Sequence, residues 1–125
     1  MKKILLLDDN LDIVQIVEEV LAYEQYEVKS TMQGAGFLTL IESYSPDLII
    51  IDYRLSDANG GELCAAIKSH ARFRDIPVII FTAYMQPGLD LRKFGCDAVI
   101  AKPFDLDELL TAVQSLTGGE SLQEA

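Results

Sequence analysis

At 125 residues, half of them apolar and 24% charged, the chain has the size and composition of one globular domain with a hydrophobic core of its own. Twenty acidic residues against ten basic ones leave a formal net charge of −10. A surface that negative repels phosphate backbones and anionic lipids, so direct binding to nucleic acid or to a membrane is disfavoured, and a divalent cation or a basic protein surface suits it better.

The chain opens Met1-Lys2-Lys3-Ile4-Leu5-Leu6-Leu7, which imitates the start of a signal peptide until Asp8-Asp9 cut the apolar run short. Ile4 to Leu7 therefore reads as a buried strand. Ile13, Ile16, Val17, Val20 and Leu21 then repeat at helical spacing, with Asp12 placed to cap or charge the first turn. Tyr26 to Thr31 alternates, setting Glu27 and Lys29 against Val28, as an edge strand does. Phe37, Leu38 and Ile41 mark a second helix that ends before Ser45-Pro46. Leu48 to Ile51 is wholly apolar and reads as a strand buried on both faces. A third helix is predicted from about Glu62 to Ser69, burying Leu63, Ala66 and Ile67. Val78 to Phe81 and Ala98 to Ala101 are further buried strands. Between them Met85 to Phe94 contains Pro87-Gly88, so its helix is predicted to be short or irregular. The final helix follows Asp105 with Leu106, Leu109, Leu110 and Val113, and the polar tail beyond Gly118 is predicted to fray.

Alternating strands and helices predict a doubly wound α/β sandwich, with ligands bound beyond the carboxyl ends of a parallel sheet. The residues that follow each buried run are informative. Asp8 and Asp9 follow Leu7, Asp52 follows Ile51, Thr82 follows Phe81, and Lys102 follows Ala101. Singly, an Asp after a strand is more often a turn former, a Thr a strand or capping residue, and a Lys a solvated charge. Jointly they place three carboxylates, a hydroxyl and an ammonium on one rim. Clustered carboxylates are costly unless a positive charge sits among them, and an oxygen-rich acidic site suits Mg²⁺. Such a set can clamp a phosphoryl group while a carboxylate acts as nucleophile. Asp52 is the candidate, because it ends the most apolar run, the one expected at mid-sheet.

These residues resemble the receiver domain of two-component response regulators, across Lys2 to about Leu116. The matching stretches are Ile4-Leu5-Leu6-Leu7-Asp8-Asp9-Asn10, Pro46 to Asp52, Ile76 to Ala83, and Ala101-Lys102-Pro103-Phe104. The resemblance implies a flavodoxin-like, five-stranded parallel sheet in the order 2-1-3-4-5, formed by a receiver over residues 1–118 with a flexible tail over 119–125. It implies Asp52 as phosphoacceptor and a Mg²⁺ site made by Asp8, Asp9, Asp52 and the backbone carbonyl of Arg54, with Asp9 a more direct ligand than Asp8. Thr82 matches the switch hydroxyl and Lys102 its paired lysine, with a cis bond to Pro103; Asn59-Gly60 matches a turn into the third helix. The implied partners are a sensor histidine kinase or histidine phosphotransfer protein and a downstream protein target, in the cytoplasm, for a monomer or weak dimer. Beyond self-catalysed phosphotransfer and dephosphorylation, no enzymatic turnover is expected.

The chain departs from the family where Ser56 replaces a frequent Pro and Val99 replaces a switch aromatic. Arg54 and Tyr84, two places beyond Asp52 and Thr82, are hypothesised to shield an acyl phosphate from water. Single His70 reads as a surface residue, Cys64 and Cys96 as reduced packing residues without a disulfide or metal spacing, and Phe37, Phe73, Phe94 and Phe104 as core or anchoring rings. Three rival functions are weaker. A haloacid-dehalogenase-type phosphatase needs an Asp-x-Asp pattern where this chain has Asp8-Asp9-Asn10, and a flavin module needs a Ser/Thr/Gly-rich phosphate loop. A scaffold that has lost phosphorylation would not keep all five polar groups, although Val99 favours it.

Overall fold

The computed structural model describes residues 1–83 and 90–118. Its five strands are β1 (Lys3–Leu7), β2 (Glu27–Thr31), β3 (Leu48–Asp52), β4 (Val78–Thr82) and β5 (Ala98–Ala101). All pairs are parallel and the order is β2-β1-β3-β4-β5, the doubly wound arrangement expected from the chain. β3 is central. Its five residues are buried, as are those of β4, because helices cover both faces of the sheet. β2 lies at an edge, with Glu27 and Lys29 exposed as the alternation predicts.

The helices are α1 (Leu11–Tyr23), α2 (Phe37–Tyr44), α3 (Gly60–Ser69) and α4 (Leu106–Leu116). One apolar layer joins Val14, Val17 and Leu21 of α1 and Leu109 and Val113 of α4 to Ile4, Leu6, Ile50 and Phe81 of the sheet. The other joins Phe37 and Ile41 of α2 and Cys64 and Ile67 of α3 to Leu5, Leu7, Ile49, Ile51 and Ile80. The period of two along each strand thus sends alternate side chains to opposite layers.

Some local expectations hold, and others are corrected. α1 is capped by Asn10, whose Oδ1 accepts from the Asp12 and Ile13 amides at 2.9 and 3.3 Å; Asp12 contributes its charge to the first turn instead. α3 begins at Gly60, capped by Asn59, and buries Gly60, Gly61, Cys64 and Ile67, while Ala66 faces solvent and Leu63 is only half-buried. Within the predicted irregular segment, Leu91–Phe94 forms a 3-10 turn; the rest of it, Tyr84 included, lies outside the described residues, as does the tail 119–125. His70 is more than a surface residue: it is half-buried and stacks on Phe73 with ring centroids 4.0 Å apart. Phe37 and Phe73 are buried in the core, and Phe104 stacks on Phe81 at 4.8 Å. Cys64 and Cys96 are free and buried, and burial pushes the Cys64 thiol up to about 12. No described helix is long and apolar enough to cross a membrane.

A candidate phosphoacceptor site at the sheet rim

The site is built by strand ends. β1 stops at Leu7 and delivers Asp8, which is fully buried, and Asp9, which is half-buried. β3 ends in Asp52, 6% exposed, and β4 ends in Thr82, 1% exposed. The Lys102 amide, just past β5, donates to the Thr82 carbonyl at 2.8 Å and so continues the β4–β5 ladder into the site. The Lys102–Pro103 peptide is cis.

Sheet geometry therefore brings the predicted groups together. Carboxylate oxygens of Asp8, Asp9 and Asp52 all lie within 4.8 Å of one another. Lys102 Nζ sits 3.0 Å from Asp8 Oδ2 and 3.3 Å from Asp52 Oδ1, bridging two acids with one charge. Asp8 Oδ1 accepts from the Asn10 amide at 2.9 Å, and Asp9 Oδ2 from the Ser56 amide at 2.8 Å. Asp8 Oδ2 is buried and accepts no hydrogen bond; Lys102 offers it charge at short range but not hydrogen-bond geometry.

Lys102 reaches two of the three acids, and their crowding shows in the acceptor candidate. Burial lifts the Asp52 carboxyl from its ordinary 3.8 to about 6, the Asp8 charge adds to the rise, Lys102 opposes it, and Asp9 contributes a further small increase. A buried carboxylate oxygen that accepts no hydrogen bond, beside two further oxygen donors, fits a hard divalent cation such as Mg²⁺, and an all-oxygen donor set suits it better than a soft metal.

Arg54 lies two residues past Asp52, exposed, in a loop that pairs with Asn59 across an isolated antiparallel bridge. Together with Asp9, Tyr53, Ser56 and Asn59 it lines an open cleft beside the acids. Ser56, at the position where a Pro is frequent, uses its amide to hold Asp9, a bond that proline has no hydrogen to make. Val99 sits on β5 opposite Ile80 and packs into the α2/α3 layer.

Two contributors had little sequence signal. A Cβ on Gly60 would fall 2.0 Å from the Asp52 carbonyl oxygen and 2.9 Å from Ile51 Cγ2, so α3 approaches β3 only because this residue has no side chain. The Asn59-Gly60 dipeptide marked a turn but not this contact. Asp57 accepts from the Gly34 amide at 2.9 Å and the Ala35 amide at 3.2 Å, tying the loop after β3 to the loop after β2; these backbone bonds hold its carboxyl below the usual range. Nothing in a lone exposed Asp announces such a partner 23 residues away.

Comparison with known proteins agrees with this geometry. The response regulator receiver domain family matches residues 4–114. The polar-differentiation response regulator DivK of Brucella abortus is 29% identical over 119 residues, covering 94% of this chain and 97% of DivK. The response regulator TrrA of Thermotoga maritima, solved in complex with Mg²⁺ and BeF, is 32% identical, with a TM-score of 0.83 over 93% of this chain and 99% of that one. The receiver domain of a Pseudomonas aeruginosa sensor histidine kinase, with a magnesium ion coordinated in its active-site cleft, is 28% identical, with a TM-score of 0.85 over 94% and 98% of the two chains. A sheet in this order, acids gathered at its carboxyl rim and a family match spanning nearly the whole chain lead to one conclusion: the protein belongs to the response regulator receiver domain family.

Proposed function

We propose that this chain is a phosphorelay receiver that takes a phosphoryl group from a phosphohistidine onto Asp52 and passes the signal to a protein partner. The observation that carries the reading is the placement of Lys102 Nζ between Asp8 and Asp52, with all three acids close enough to share a cation. The donor is a sensor histidine kinase or a histidine phosphotransfer protein. One Asp52 oxygen attacks phosphorus in line; the P–O bond forms as the P–N bond to histidine breaks, and the imidazole leaves with the electron pair and takes up a proton from water.

Asp8, Asp9, Asp52 and the Arg54 carbonyl would hold Mg²⁺, with Asp9 a closer ligand than Asp8. The ion supplies positive charge to the phosphoryl oxygens in the transition state. Lys102 neutralises the equatorial oxygens, and Thr82 donates its hydroxyl to one of them. The weakened acidity of Asp52, its pKa raised to about 6 by burial, works against nucleophilicity below neutral pH, since the carboxyl must ionise to attack. Water later cleaves the acyl phosphate, which resets the domain, and the added charge shifts a two-state equilibrium in between. The reading places the receiver in residues 1–118, in the cytoplasm, as a monomer or weak dimer without direct contact to nucleic acid or membrane.

Incubation with Mg²⁺ and acetyl phosphate, followed by intact-mass measurement, tests this. The expected result is a gain of one phosphoryl group that vanishes in Asp52→Asn. A gain that survives the substitution moves the acceptor elsewhere, and no gain in the unmodified chain removes the reading.

A further inference from the structure

With Val99 where an aromatic is frequent, a different ring lies against the acceptor loop. Phe94, the last residue of the 3-10 turn Leu91–Phe94, is held from two sides, and both lead back to Asp52. On one side is Tyr53, the residue after Asp52, whose ring centroid is 6.4 Å from that of Phe94 at an angle of 41°. On the other is Gly61, where a Cβ would fall 2.5 Å from Phe94 Cε2, so the ring lies against bare backbone. Gly61 follows Gly60, which is pressed against the Asp52 carbonyl and donates its amide to the Tyr53 carbonyl at 2.8 Å. The Cys64 thiol, one turn further along α3, donates to the Phe94 carbonyl at 3.5 Å.

We propose that Phe94 is a positioning residue that couples Asp52 to the surface of the Leu91–Phe94 turn, by riding on the Gly60–Gly61 backbone and the Tyr53 ring. The proposal rests on the reading of Asp52 as phosphoacceptor. Packed contacts without slack shift between discrete arrangements rather than deforming smoothly. Gly60 has no spare room against the Asp52 carbonyl, so a displacement of the Asp52 backbone must move the start of α3. Gly61 then moves the ring it carries. Arg92 and Lys93, which precede Phe94 in the turn and are exposed, are displaced with it.

Beryllofluoride with Mg²⁺, the probe present in the TrrA complex, serves as acyl-phosphate mimic, read by amide resonances of the whole chain. In the unmodified protein, resonances of Leu91–Gly95 are expected to shift together with those of Tyr53 and Gly60. Phe94→Ala is expected to keep the shifts around Asp52 and lose most of those in the turn, with Phe94→Leu intermediate and both spectra as well dispersed as the parent's. If the turn and Asp52 share one two-state equilibrium, Phe94→Ala is also expected to change beryllofluoride affinity, by about fivefold or more. Shifts confined to the Asp52 loop in the unmodified chain, or a turn that still responds fully in Phe94→Ala, overturn the coupling alone. No shift anywhere in the unmodified chain removes the phosphoacceptor reading, and the coupling with it.

Discussion

The two ends of the sheet treat charge in opposite ways. At the amino ends each buried or half-buried ion has its partner. Lys68 Nζ donates to the carbonyls of Arg74 and Ile76 and to Asp97 Oδ2 at 3.3, 2.8 and 2.9 Å, and Asp97 also accepts from the Val78 amide at 2.8 Å. Lys3 Nζ donates to the Tyr44 carbonyl at 2.9 Å, and its amide donates to Asp47. At the carboxyl ends, three acids crowd together, Lys102 bridges only Asp8 and Asp52, and one buried oxygen accepts no hydrogen bond. The first end is finished by folding; the second has the composition of a site that a ligand would finish. Stability lost to crowded carboxylates is what a cation bound there would restore.

Gly60→Ala gives the largest effect, because it joins the two problems of space and charge at the acceptor strand. A methyl group 2.0 Å from a backbone oxygen forces α3 off the sheet. A loss of about 3 kcal/mol or more is expected in urea unfolding, since main chain rather than a flexible side chain must yield. An alanine tolerated with less than about 1 kcal/mol of loss would show that α3 is not seated as described.

Lys68→Met comes next and tests the finished end. It removes the ammonium that two carbonyls and Asp97 share, although Asp97 keeps the Val78 amide, and a loss of about 1–3 kcal/mol follows from the charge-assisted hydrogen bonds removed. Phosphorylation by acetyl phosphate is expected to survive in the folded fraction. A selective loss of phosphorylation at unchanged stability would break the contrast between the two ends.

Asp52→Asn tests the unfinished end and has the opposite sign. The folded-state carboxyl is raised to about 6 from an ordinary 3.8, so its contribution is fully present below about 4 and is lost as pH rises through about 6. Above that pH the metal-free parent carries a penalty that the asparagine removes. At pH 8 the variant is expected to be more stable by about 1–2 kcal/mol, a value reduced from the full shift to allow for solvent screening. Added Mg²⁺ should stabilise the parent and leave the variant much less affected, by binding linkage. Urea midpoints at pH 4, 6 and 8, with and without Mg²⁺, measure all of this. Equal pH dependence in the two proteins would refute it.

The smallest effect is kinetic. Arg54→Ala opens the exposed side of the cleft, and a rise of about two- to fivefold in the decay rate of the acyl phosphate is expected, the equivalent of less than about 1 kcal/mol. Unchanged decay would remove the shielding role of Arg54.

The strands were legible because each is a short apolar run ended by a polar residue, and parallel pairing then converts those endings into neighbours. Asp8, Asp52, Thr82 and Lys102 meet for that reason alone. Helix starts were less legible. Asn10 and Asp12 are both capping residues, and only backbone angles decide that Asn10 does it. α3 begins on two glycines, residues with no apolar period, so the pattern pointed to Glu62 and to the wrong inward face around Ala66. The Asp57 clasp, the Phe94 seat and the stacking of His70 on Phe73 depend on loops that meet only after the sheet closes. Local propensity carries no record of such meetings.

The full burial of β3 and β4 also matters before the chain is folded. Leu48–Ile51 and Val78–Phe81 contain no charge, and such segments stack into aggregated cross-β when left unpaired. Asp47 and Asp52 bracket the first of them, and charges in those places act as gatekeepers against self-association. Replacing Asp52 therefore removes one guard from the stickiest stretch of the nascent chain, even while it relieves repulsion in the finished one.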